Sequence, residues 1–224
     1  MRFVSRVLAV GALVVGGCGQ SDEPPVQRTA TAAEQTYQLC TQCHGSELGG
    51  KPEIAAPAIA GLPAWYVEAQ LHKFKSGVRG THFDDIAGMR MRPMAMSLTD
   101  GDIEQVAKVV ESTGSTGAHG QGHEGEAHAE AGHGEAHGDA ERGKTLFATC
   151  TACHGADGRG NQQLNAPPLH QADGWYLLTQ LKNFKHGVRG ANPQDTTGGQ
   201  MRPMAQGLSD EQAMRDVIAY IDTL

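Results

Sequence analysis

Cys40-Thr41-Gln42-Cys43-His44-Gly45 returns 110 residues further along the chain as Cys150-Thr151-Ala152-Cys153-His154-Gly155. Working outward from these hexapeptides, the same offset relates Trp65-Tyr66 to Trp175-Tyr176 and Gly77-Val78-Arg79-Gly80 to Gly187-Val188-Arg189-Gly190. It also relates Met91-Arg92-Pro93-Met94-Ala95 to Met201-Arg202-Pro203-Met204-Ala205. Order and spacing hold through most of each copy, which identifies a duplicated domain.

Cys-x-x-Cys-His is the pattern of covalent c-type haem attachment. On one helical turn, cysteines three apart lie on the same face and can form thioethers to two vinyl groups, while the next residue aims its imidazole at the iron. A zinc site needs four ligands, and each motif supplies three, with the histidine too close to the second cysteine for finger geometry. A redox-active Cys-x-x-Cys belongs to a βαβ pattern that this sequence lacks. The expectation is therefore two covalently bound haems c, attached through Cys40, Cys43, Cys150 and Cys153, with His44 and His154 as axial ligands.

The opposite axial ligand must come from elsewhere in each copy. His72, His82, His170 and His186 have no histidine at the equivalent position of the other copy, whereas the Met-Arg-Pro-Met segments match. These segments read as turns just ahead of the helix starts Leu98-Thr99-Asp100 and Leu208-Ser209-Asp210, and offer Met91 or Met94 and Met201 or Met204. A thioether raises the reduction potential, and an iron filled on both sides by protein has no position for substrate. The expected function is one-electron transfer without catalysis or a small-molecule substrate.

The chain resembles the class I cytochromes c, and within them the two-haem cytochrome c4 type. The resemblance rests on the Cys-x-x-Cys-His-Gly motifs, Pro57-Ala58-Ile59-Ala60-Gly61, Trp65-Tyr66, Gln70-Leu71, Phe74-Lys75-x-Gly77 and the segment Met91 to Asp100, with their second-copy counterparts. It implies an all-α fold of two tandem class I cytochrome c domains. In that family the ligating methionine lies seven residues before Leu-Ser/Thr-Asp, which implies Met91 and Met201. The family's proline whose carbonyl orients the axial imidazole maps onto Pro57 and Pro167, a bond that fixes the ring and raises its basicity.

Arg2, Arg6 and the apolar stretch from Val7 to Val15 read as an export signal over residues 1–17. Val15-Gly16-Gly17-Cys18 resembles a bacterial lipobox, so Cys18 is expected to carry lipid on the periplasmic side of a bacterial membrane. Residues 18–29 form a polar tether, 30–111 the first domain, 112–140 a linker and 141–224 the second domain.

The linker holds Gly, His, Ala and Glu without a large apolar side chain, so it reads as a flexible coil spanning roughly 30 Å, with loosely coupled domains at its ends. Its His119, His123, His128, His133 and His137 alternate with glutamates and read as a solvating spacer rather than a selective metal site. With Lys and Arg at 18 against Asp and Glu at 25, net charge is −7 and nucleic acid is not an expected partner. The expected partners are redox proteins, either a quinol-oxidising complex with a terminal oxidase or reductase, or a periplasmic dehydrogenase.

Helices are expected from Ala30 to Cys43, Ala140 to Cys153 and Ala64 to Ser76, the last ending at Gly77, with Thr99 and Ser209 capping the final helix of each copy. Ile103, Val106, Ala107 and Val110 form one apolar stripe, and Met214, Val217, Ile218 and Ile221 the other, displaced by one residue from the repeat. Lys75, Arg79 and Arg92, with Lys185, Arg189 and Arg202, fit either haem propionate partners or a docking patch, or else a plain solvated face.

Overall fold

The computed structural model describes residues 32–114 and 138–224. The expected signal, tether, Cys18 and most of the histidine-rich linker lie outside them. The first domain holds α1 (Ala32–His44), α2 (Ala64–Lys75), α3 (Ile86–Met96) and α4 (Asp100–Thr113). The second holds α5 (Ala140–Phe147), α6 (Thr151–His154), α7 (Gly174–Lys185), α8 (Thr196–Gln206) and α9 (Glu211–Ile221). One short 3-10 turn in each, Pro52–Ile54 and Gln162–Leu164, follows the cysteine motif. The fold is all-α as expected, and the described residues contain no strand, only the isolated bridges Lys51–Ala56 and Asn161–Ala166.

Local chemistry sets the helix limits. Gly77 follows α2 with φ +77, the left-handed conformation that glycine adopts without a Cβ penalty. The capping box forms at α4: Thr99 Oγ1 accepts the Asp102 amide at 3.1 Å, and the Thr99 amide donates to Asp102 Oδ2 at 2.9 Å.

Three expected limits are corrected. The cap of α9 is Asp210 rather than Ser209, its Oδ1 accepting the Ala213 amide at 2.8 Å. Cap and apolar stripe thus shift together by one residue relative to α4, which accounts for the displaced register. The Met-Arg-Pro-Met segments are helical, not turns, with Pro93 inside α3 and Pro203 inside α8. Asp85 and Asp195 start these helices by accepting the Gly88 and Gly198 amides at 3.0 Å, and fully buried Ala95 and Ala205 anchor them beyond the prolines. Finally, the helix expected to run unbroken to Cys153 tightens into a turn between α5 and α6, where the Cys150 amide donates to the Phe147 carbonyl at 2.8 Å.

Each core is small. In the first domain Leu71, Phe74, Ala95, Ile103 and Val106 pack with partly buried Cys40, Val67, Met91 and Leu98. In the second, Phe147, Leu177 and Leu208 pack with Ala213, Met214, Val217, Ile218 and Ile221 of α9. The crossing of α5 over α9 is close enough that a Cβ on Gly143 would stand 1.8 Å from the Asp216 carbonyl. Asp216 itself is fully buried on α9 and accepts the Asp139 amide at 2.8 Å and Gln212 Nε2 at 3.0 Å, with Arg142 as its ion-pair partner. Domains this small are marginal on side-chain packing alone, so a buried prosthetic group is the natural completion of both cores.

The two domains pack together, contrary to the loose coupling expected from the linker. Arg79 Nη1 donates to Gln70 Oε1 of its own domain at 2.9 Å and Nη2 to Gln180 Oε1 of the other at 3.2 Å. The same pattern returns from the opposite side, with Arg189 Nη1 on Gln180 at 2.8 Å and Nη2 on Gln70 at 3.0 Å. Because Arg79 and Gln70 are the repeat counterparts of Arg189 and Gln180, the junction has approximate two-fold symmetry. Lys73 Nζ adds a bond to Asp195 at 2.7 Å, and the Ala58 amide one to Asp173 Oδ2 at 3.0 Å. These contacts use surface that loose tethering would leave hydrated, and they immobilise guanidiniums that are each under 10 % exposed.

Candidate haem sites and family

In both domains the cysteine motif ends a helix against the core. Cys40 and Cys150 are half-buried, Cys43 and Cys153 exposed, and none of the four is tied up in a disulfide. Burial pushes the Cys40 and Cys150 thiols up. His44 and His154 are buried, with Nδ1 held by the Pro57 carbonyl at 2.7 Å and the Pro167 carbonyl at 2.8 Å. A carbonyl only accepts, so Nδ1 carries the proton in each ring and the lone pair lies on Nε2. Burial lowers both imidazole pKa values more than the carbonyl bonds raise them, which favours the neutral form that ligates metal.

Cys150, Cys153, His154, Pro167 and Met201 line one cavity, which opens toward Tyr66, Gln70 and Lys73 of the first domain. The two methionines of each segment differ in depth. Met91 packs on the first core and Met201 lines the cavity half-buried, whereas Met94 is 41 % and Met204 48 % exposed. Met204 also touches the cavity.

The charged residues divide sharply. Lys75 pairs with exposed Asp100 at 2.8 Å, and Lys185 reaches the Leu208 and Ser209 carbonyls, so these two serve loop ends. Arg79 and Arg189 are buried and stack over Phe74 and Phe184, at 4.5 and 4.6 Å from the ring centres. The Nε atoms of Arg79, Arg92, Arg189 and Arg202, and Trp175 Nε1, are buried without a hydrogen-bond partner. Orphaned buried donors are costly, and the four arginine donors occur at matching positions of both copies. A haem fits this donor set: propionates could accept from such arginine donors, the vinyl groups would form thioethers with the cysteines, and His44 and His154 would hold the iron through Nε2.

Sequence reasoning missed the junction: Tyr66 and Gln70 enter it only within the motifs Trp65-Tyr66 and Gln70-Leu71, and Lys73 and Asp173 do not enter it at all. The available signal was the repeat itself, since Gln70-x8-Arg79 returns intact as Gln180-x8-Arg189. Tyr176 belongs to the same cluster, its hydroxyl accepting from Arg79 Nη2 at 3.2 Å. Burial raises the Tyr176 phenol, but the charges of Arg79 and Arg189 outweigh it and hold it below its ordinary value. The linker histidines expected to act as a spacer lie outside the described residues, and no group of three or more His, Cys, Asp or Glu able to hold a metal ion occurs among the described ones.

Comparison with known proteins agrees with this geometry. The family model for cytochrome c matches residues 30–114 and again 140–224. The thiosulfate dehydrogenase electron acceptor of Stutzerimonas stutzeri (strain A1501) is 28 % identical over 224 residues, 99 % of this chain and 97 % of its own. Cytochrome c4 of Stutzerimonas stutzeri is 30 % identical over 207 residues, 87 % of this chain and 89 % of its own. The solved structure of Acidithiobacillus ferrooxidans cytochrome c4 superposes with a TM-score of 0.60 at 25 % identity, covering 84 % of this chain and 99 % of that one. The chain belongs to the cytochrome c family, as a dihaem electron carrier with one haem c bound covalently at Cys40 and Cys43 and the other at Cys150 and Cys153.

Proposed function

We propose that this protein is an exported, membrane-anchored relay in which His44 with Met91 would hold one haem iron and His154 with Met201 the other. The observation that carries this reading is the paired geometry of each site: a proline carbonyl fixes the histidine tautomer, and the less exposed methionine of the segment packs with Cys40 on the first core at one site and lines a cavity with Cys150 and His154 at the other. Each haem, when bound, supplies a reversible one-electron couple. The chain's own residues hold the imidazole ring in place, exclude water from the cavity and set charge around it. Filled coordination leaves no open site, so the protein passes electrons and does not transform a substrate.

Cys18, as a lipid attachment site, would keep the relay at the periplasmic face of the membrane. There it would take electrons from a quinol-oxidising complex and pass them to a terminal oxidase or reductase. A second reading makes it the electron-accepting partner of a periplasmic dehydrogenase, favoured by the full-length similarity to a protein named as the thiosulfate dehydrogenase electron acceptor. Copurification separates the two, since a dedicated subunit leaves the membrane fraction in complex with its dehydrogenase.

Ligation is tested by Met91→Ala beside Met94→Ala. Met91→Ala should abolish the methionine-to-iron charge-transfer band of the first haem and open that iron to carbon monoxide, while Met94→Ala should do neither. The opposite pattern would move the ligand by one helical turn.

A further inference from the structure

The duplication is broken at the domain junction in a way that bears on one site only. Asp173, of the second domain, accepts the Ala58 amide of the first at 3.0 Å. That amide belongs to the same peptide unit as the Pro57 carbonyl, which accepts His44 Nδ1 at 2.7 Å. A continuous chain therefore runs from the Asp173 carboxylate through one peptide group to the histidine of the first site. The equivalent chain cannot form in the other direction: Ala58 is replaced by Pro168, which has no N–H, and Asp173 by Pro63, which has no carboxylate. His154 donates to Pro167 at 2.8 Å with nothing behind it in that peptide.

Resting on the His/Met reading of both sites, we propose that Asp173 is a cross-domain positioning residue that lowers the electron affinity of the first haem through the Pro57–Ala58 peptide and His44. Hydrogen bonds in series polarise one another, so a carboxylate drawing on the amide N–H makes the carbonyl oxygen a stronger acceptor. A stronger acceptor on Nδ1 makes the imidazole a better electron donor at Nε2, which favours the oxidised iron. The contact is partly buried, so its charge is screened less than at an open surface.

Lys73 works in the same direction from the other side. It lines the cavity of the second site and binds Asp195 at 2.7 Å and Thr197 at 2.5 Å, offsetting a carboxylate there, whereas its repeat counterpart is the neutral Asn183. Asp85, the counterpart of Asp195, caps α3 at Gly88 with no lysine bonded to it among the described residues. Both asymmetries make the second site the better electron acceptor, so an electron reaching the first is drawn toward the second.

The test is a redox titration of the holoprotein, wild type beside Asp173→Asn and Ala58→Pro. Each haem is followed by its own hyperfine-shifted methyl resonances, assigned with Met201→Ala. Asp173→Asn keeps an acceptor for the Ala58 amide but removes the charge; Ala58→Pro keeps the charge but removes the link, copying the Pro167-Pro168 pair. Both should raise the first potential, leave the second in place and narrow the gap between them. An unmoved first potential in both variants overturns the proposal, as does a rise in Asp173→Asn alone, which would reduce the effect to charge acting through space. A joint shift of both potentials would also overturn it, by assigning Asp173 to domain packing. Failure of the underlying reading would show separately, as a wild type lacking two methionine-ligated haems.

Discussion

Truncating Asp216 to alanine should weaken the second domain and leave the first untouched. The carboxylate is fully buried and ties the start of α5 to α9, accepting the Asp139 amide at 2.8 Å and Gln212 Nε2 at 3.0 Å beside Arg142. Arg142 has a side chain 54 % exposed and returns to water when its partner goes, so the ion pair itself contributes little. The Asp139 amide loses its acceptor at a cost of about 1–3 kcal/mol, and the small void adds about 1 kcal/mol. A total of about 2–4 kcal/mol in a domain of this size corresponds to a fall in Tm on the order of 10–25 °C.

Asp216→Asn, which keeps the shape, should cost about half as much. Burial raises the Asp216 carboxyl, but the Asp139 amide, Gln212 and Arg142 outweigh it and hold it below the usual carboxylate range. A depressed folded pKa means that the charge stabilises above the unfolded value of about 3.9 and ceases to do so as pH falls through the folded value. The gap between wild type and Asp216→Asn should therefore be steady from neutral pH to about 5 and close in stronger acid. The assay is thermal unfolding of the holoprotein, with loss of the methionine-to-iron band of each haem as the domain-specific probe. An alanine variant whose second domain melts within about 2 °C of wild type would refute the reasoning.

Replacing both Arg79 and Arg189 by methionine should separate the domains, since each guanidinium bridges the two glutamines of the junction; a larger radius of gyration and slower transfer between haems would register this, and an unchanged radius would count against it. Shortening the linker within residues 117–138 should leave both potentials in place, because the junction and not the linker sets the domain arrangement; loss of a haem on deletion would contradict this. Cys18→Ser should release the folded cytochrome into the soluble periplasmic fraction, whereas retention on membranes would point to docking rather than lipid as the anchor.

The cysteine motifs and the Thr99 cap of α4 were legible in the sequence because each depends on residues close along the chain, and the duplication because its motifs repeat at a fixed offset. Thr99 with Asp102, and Gly77 after Lys75, carry their own geometry. Pro93 misled because a proline after arginine reads as a turn, whereas the Asp85 cap and the burial of Ala95 hold the segment helical on both sides of it. The junction was hidden for a different reason. Gln70 and Arg79 are polar residues of ordinary surface type, and their burial depends on partners more than one hundred positions away. The pairing of Arg79 with Gln180 and Arg189 with Gln70 is what draws them into the junction.

Optical redox titration of the purified holoprotein, with carbon monoxide added to the reduced form, tests the central claim most directly. Two one-electron steps, low-spin spectra with a methionine-to-iron band at both sites, and no carbon monoxide adduct are the predicted result. A high-spin ferric haem at rest, or carbon monoxide binding at either iron, would contradict a pure carrier and assign that domain an open catalytic site.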